Sequence, residues 1–120
     1  MSLSVYYRPE QNARTSSFSP SAGKPAAVVA DWQSRGLAIE VHGFEPVTPS
    51  DLMLAHAPAY VQGVLAGRLP TGFGDADADV ARSCLYTVGS LLAAARAVCG
   101  TNRIACSPTS GFHHAGWSEG

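Results

Sequence analysis

The 120-residue chain is short of charge and of cysteine, and it has no long apolar run. Eight Lys and Arg against nine Asp and Glu leave a net charge of −1. Cations this few and scattered make no basic stripe, which excludes nucleic acid as a partner. No apolar run approaches the about 18 residues of a membrane span, and no basic-then-apolar leader opens the chain, so no membrane partner is expected. The cysteines Cys84, Cys99 and Cys106 are odd in number and lack C-x-x-C spacing. That argues against a disulfide framework and a structural zinc site, and it points to a reducing cytoplasm. G-x-S-x-G is absent too, which leaves serine-hydrolase chemistry little to stand on. Asp75-x-Asp77-x-Asp79 lacks the later glycine and glutamate of a calcium loop, because Val80 and Tyr86 stand in those places. These aspartates read instead as the acidic start of a helix.

Apolar residues make up 46% of the chain, which is enough for one domain over residues 1–120 and argues against disorder. Leu3-Ser4-Val5-Tyr6-Tyr7 reads as a strand stopped by Pro9. Pro25 suits the first turn of a helix that Gly36 ends. A second strand is expected over 37–44, and Thr48-Pro49-Ser50-Asp51 is a helix start serving a short helix over 52–56. Pro58 opens another helix. Val80, Cys84, Leu85, Val88, Leu91, Leu92, Ala95 and Val98 then recur at a period of about 3.6, the apolar stripe of a long helix. Arg103-Ile104-Ala105-Cys106 reads as a third strand. Alternating strands and helices imply an α/β fold, a three-layer parallel sheet with flanking helices.

Directly after that strand comes Gly111-Phe112-His113-His114-Ala115. Ligands in α/β sheets sit at the carboxyl ends of strands, and Gly111 lets a turn aim both imidazoles at one cleft. Two adjacent imidazoles can divide base and acid roles near neutral pH, since their mutual repulsion separates their pKa values. A solvated loop or adventitious metal binding is the plainer reading of the same residues. His42 and His56 each read as structural or surface histidines.

Ser107-Pro108-Thr109-Ser110-Gly111-Phe112-His113-His114-Ala115 resembles the strand-end motif of the histone deacetylase superfamily, which includes the acetoin-utilisation and acetylpolyamine amidohydrolase proteins. His56-Ala57-Pro58-Ala59-Tyr60-Val61 is similar to that family's H-D-P-x-Y-[IV] segment, and Val5-Tyr6-Tyr7 to its first strand. The resemblance implies an arginase/deacetylase-like fold and zinc-dependent hydrolysis of acetyl-amide bonds, with a small acetylated substrate such as acetyl-lysine or an acetylpolyamine. It makes His114 the general base and His113 its electrostatic partner or proton shuttle. It also assigns Gly111, Phe112 and Asp75 to substrate binding.

The family's metal ligands, in a D-x-D-x-H stretch and a further Asp, and its later tyrosine have no counterpart here. Ser19-Pro20-Ser21-Ala22-Gly23-Lys24-Pro25 stands where many members carry H-P-E-R-P. The chain is therefore expected to be the N-terminal portion of a deacetylase-like domain, without metal ligands or cofactor of its own and inactive alone. Its expected partners are a complementing C-terminal half or further copies of itself, since a short parallel sheet leaves an unpaired edge. The alternatives are a non-catalytic, self-associating binding module, or a small metal-binding protein using His113 and His114 with His56 or His42.

Overall fold

The computed structural model of the protein describes residues 1–15, 19–109 and 114–120. Three strands form a parallel sheet in the order β2-β1-β3, with β1 at Leu3–Tyr6, β2 at Ile39–His42 and β3 at Ala105–Cys106. Helix α1 spans Lys24–Ser34, α2 Pro49–Leu52, α3 Pro58–Leu65 and α4 Ala78–Val98. Short 3₁₀ turns occupy Pro9–Gln11 and Ser21–Gly23. The α/β architecture expected from the alternation of strands and helices is therefore present.

β1 is the pivot. It pairs with β2 from Leu3↔Ile39 to Tyr6↔His42, and with β3 through Ser4↔Ala105 and Val5↔Cys106. Ser4 and Val5 point to opposite faces, and both are buried, at 8% and 0% exposure. The central strand is thus covered on both sides, as a parallel sheet requires. The crossover from β1 to β2 and the one from β2 to β3 run in opposite directions across the sheet. Right-handed connections then place α1 and α4 on opposite faces.

Both outer strands are shorter than the sequence suggests. The expected strand over 37–44 contracts to Ile39–His42, because Leu37 N–H instead closes α1 onto the Trp32 carbonyl at 3.1 Å. β3 keeps only Ala105 and Cys106, and Ile104 stands 80% exposed.

Helix boundaries follow the capping residues. The Thr48 hydroxyl accepts from Asp51 N–H at 3.2 Å, and the Asp51 carboxylate accepts from Thr48 N–H at 2.7 Å, a reciprocal capping box. The helix it starts is Pro49–Leu52 rather than the expected 52–56. Beyond Leu52 the chain tightens into turns, and Ala57 is extended because Pro58 follows it. The Asp77 carboxylate caps α4, accepting from Asp79 N–H at 2.7 Å and Val80 N–H at 3.3 Å. Gly100 ends the helix with φ of +71°, a conformation that costs glycine nothing.

The stripe on α4 is where the structure departs most from the sequence reading. The buried residues of this helix are Val80, Ala81, Ser83, Gly89, Ser90 and Ala94, whereas Leu91 and Leu92 are 45% and 37% exposed. Close approach is the reason. The segment before α2 crosses the helix so tightly that Val47 N–H donates to the Leu85 carbonyl at 3.1 Å. A Cβ on Gly89 would lie 2.7 Å from the Glu45 carbonyl oxygen and 3.0 Å from Pro46 Cα. Only small side chains fit such a seam. Among the described residues the buried aliphatic side chains are accordingly all Val or Ala: Val5, Ala22, Val29, Val47, Val61, Val80, Ala81 and Ala94.

Helix propensity alone favours Gly89→Ala by about 1 kcal/mol. The crossing backbone opposes it, at a cost of about 1–3 kcal/mol for overpacking. We expect the substitution to lower the urea midpoint; a raised midpoint would show that the crossing segment yields freely.

Candidate functional site

The strand order reverses about β1, so the topological switch point lies at the carboxyl ends of β1 and β3, the position where open parallel sheets bind ligands. β1 leaves through Tyr7 and Arg8 into the Pro9–Gln11 turn. β3 leaves through Ser107, Pro108 and Thr109 towards the di-histidine segment.

One hydroxyl joins the two exits. Ser90 on α4 is fully buried, and its Oγ donates to the Tyr6 carbonyl at 2.5 Å. Its second neighbour is Ser107 Oγ at 2.6 Å. A carbonyl can only accept, so the Ser90 proton is committed to Tyr6 and Ser107 must donate to Ser90. Thr109 Oγ1 lies 3.5 Å from Ser107, and Thr109 N–H donates to the Ser107 carbonyl at 2.9 Å. The end of β1, the exit of β3 and the middle of α4 are thereby fixed to one another.

The Pro9–Gln11 turn follows β1 at the same end of the sheet. Gln11 is 1% exposed; its Oε1 accepts from Arg8 N–H at 2.8 Å, and its Nε2 finds no partner among the described residues. The Arg8 guanidinium donates to the Phe44 carbonyl at 2.9 Å, pairs with Glu10 at 2.7 Å and lies over the Tyr86 ring at 5.1 Å. The hydrogen bond from Arg8 holds the Glu10 carboxyl below its ordinary range. At the end of β2, His42 stacks on Tyr6 with centroids 5.2 Å apart, and its Nε2 is 3.8 Å from Glu40.

Among the residues singled out from the sequence, Gly111, Phe112 and His113 lie outside the described residues. His114 is exposed in a turn. The Asp75 carboxylate accepts from the hydroxyls of Thr71, at 2.9 Å, and of Thr15, and from Asp77 N–H at 3.4 Å. It thus ties the N-terminal loop to the start of α4. His56 is half-buried, with Nδ1 2.6 Å from the Gly116 carbonyl, and Ala57 N–H donates to the Trp117 carbonyl at 2.8 Å. These two bonds dock the segment after His114 onto the entrance of α3.

Burial pushes the Cys84 thiol up to about 11, so it stays protonated at neutral pH and does not act as a thiolate nucleophile. Among the described residues no group of three or more His, Cys, Asp or Glu is placed to hold a metal ion. No described helix is long and apolar enough to cross a membrane.

Sequence reasoning missed the Ser90–Ser107 link and the His56–Gly116 contact. Ser107 figured in the sequence only as the first residue of the Ser107–Ala115 resemblance. Gly89-Ser90 in mid-helix was the available signal, since two poor helix formers inside a long helix point to close packing. No family model matches the chain, and no curated protein matches it.

Replacing Ser90 by Ala deletes the donor with little change of volume, which strands the Tyr6 carbonyl and the Ser107 hydroxyl. We expect Ser90→Ala to lose about 1–3 kcal/mol in urea unfolding. A loss below about 0.5 kcal/mol would mean that the link is incidental.

Proposed function

We propose that this chain is the N-terminal portion of a deacetylase-superfamily amidohydrolase of arginase/deacetylase-like fold, working in the cytoplasm on acetyl-amide substrates. One observation carries the reading. The chain runs into the di-histidine segment from the carboxyl end of β3, beside the central strand, and the Ser90–Ser107 link fixes that exit. The docking of Gly116 and Trp117 onto His56 and Ala57 supports it as well, because it joins the H-A-P-A-Y segment to the H-H-A segment.

In this reading His114 takes a proton from the attacking water, and His113 balances the charge or returns a proton to the departing amine. Gly111 and Phe112 line the approach, and Asp75 steadies the neighbouring loop. In the superfamily, zinc polarises the acetyl carbonyl and its water. The described residues do not assemble its ligands, so the chain contributes the acid–base half of the reaction. General acid–base catalysis alone supplies roughly 10²–10⁴-fold. Enzymatic rate enhancements are typically about 10⁶-fold or more. The purified chain should therefore leave acetyl-lysine and acetylpolyamine substrates intact over hours; turnover that His114→Ala abolishes would refute its inactivity. The family reading predicts G-F-C and D-x-D-x-H segments in the coding sequence following Gly120 or in an adjacent frame, and their absence would sink it.

A second reading, a non-catalytic module that associates with itself, is favoured by exposed apolar side chains. Leu91, Leu92, Ile104 and Trp117 are 45%, 37%, 80% and 59% exposed. Among the described residues β2 and β3 also have unpaired outer edges. Light scattering at micromolar concentration is then expected to give a mass above that of the 12.5 kDa chain, and a monodisperse monomer would eliminate this reading.

A further inference from the structure

Away from the switch point, α3, α4 and the segment after His114 line a partly open pocket of about 150 Å³. Its walls are chiefly apolar, with Val61 and Val64 from α3, Val88 from α4 and Phe73 from the loop between them. Five lining residues carry polar side-chain atoms: His56, Tyr60, Thr71, Cys84 and Thr87. Two are spent within the protein, since the Thr71 hydroxyl donates to Asp75 at 2.9 Å and the Cys84 thiol to the Val80 carbonyl at 3.5 Å.

His56 is the informative one. Its Nδ1 faces the Gly116 carbonyl at 2.6 Å, and a carbonyl cannot donate, so Nδ1 carries the hydrogen. The neutral ring is thereby fixed in the tautomer whose Nε2 is an acceptor. Neither that nitrogen nor the hydroxyls of Tyr60 and Thr87 has a hydrogen-bond partner among the described residues. Tyr60 lies beside His56, with ring centroids 5.8 Å apart. An apolar pocket with a few unspent polar tips is the usual makeup of a small-molecule site. Its volume matches that of apolar cavities of about 150 Å³ that take up benzene.

We propose that this pocket binds a compact aromatic alcohol of the phenol class, its ring among the valines and its hydroxyl donating to His56 Nε2. His56 and Tyr60 also belong to the H-A-P-A-Y segment, but phenol binding is read without any deacetylase activity, so its failure and that of the deacetylase reading are distinguishable. The test is a titration of the full chain with phenol, followed on the ¹⁵N resonances of the His56 ring, with benzene as control. The expected result is saturable binding in the millimolar range, a shift of Nε2 with Nδ1 nearly unmoved, and benzene about five- to tenfold weaker. Val64→Phe fills the pocket from α3 and should abolish the shift while unfolding stays cooperative. Phenol and benzene binding equally, no saturation, or an unmoved Nε2 would each overturn the proposal, and all three are read on the unmodified protein should Val64→Phe fail to fold.

Discussion

A single buried hydroxyl organises this molecule. Ser90 meets the last carbonyl of the central strand and the first side chain beyond β3, so three elements distant in sequence share one proton-ordered chain. Nothing larger than serine could do this, because α4 rides directly on the strand ends at that level. Gly89 beside it is needed for the same reason on the neighbouring flank. The switch point is therefore tightly packed. Its geometry is set by a seam of small residues before any functional group enters it.

Much of the architecture was legible because it is encoded locally. The Thr48 and Asp77 caps, the prolines opening α1, α2 and α3, and the glycine stop at Gly100 are one-residue signals with one-residue causes. Parallel pairing followed from alternation alone. What failed was the face of α4. The apolar period pointed to Leu91 and Leu92 as core, yet the sheet takes the side with Ser83, Ser90 and Ala94. Periodicity ranks residues by hydrophobicity, and close approach ranks them by size. On this helix size prevailed. The outer strands are short for local reasons: Leu37 is drawn into the close of α1, and β3 pairs only with Ser4 and Val5.

The site was legible only in part. The sequence points to His114 and to its position after a strand, and the strand is there. Which groups hold that exit in place depends on contacts between residues 17 and 84 positions apart in the chain, beyond what spacing can reveal. His56 shows the same limit. Read alone it is one more half-buried histidine. Its tautomer is settled only by the carbonyl of Gly116, which reaches it through the fold.

The valine and alanine interior has an evolutionary corollary. A wall of β-branched and methyl side chains has few rotamers to exchange, so a gap opened in it has little nearby that can swing in to close it. Enlargement meets the same rigidity. Sequence drift in this lineage should therefore concentrate on the outer leucines and loops, leaving the inner seam nearly frozen even where chemistry makes no demand on it.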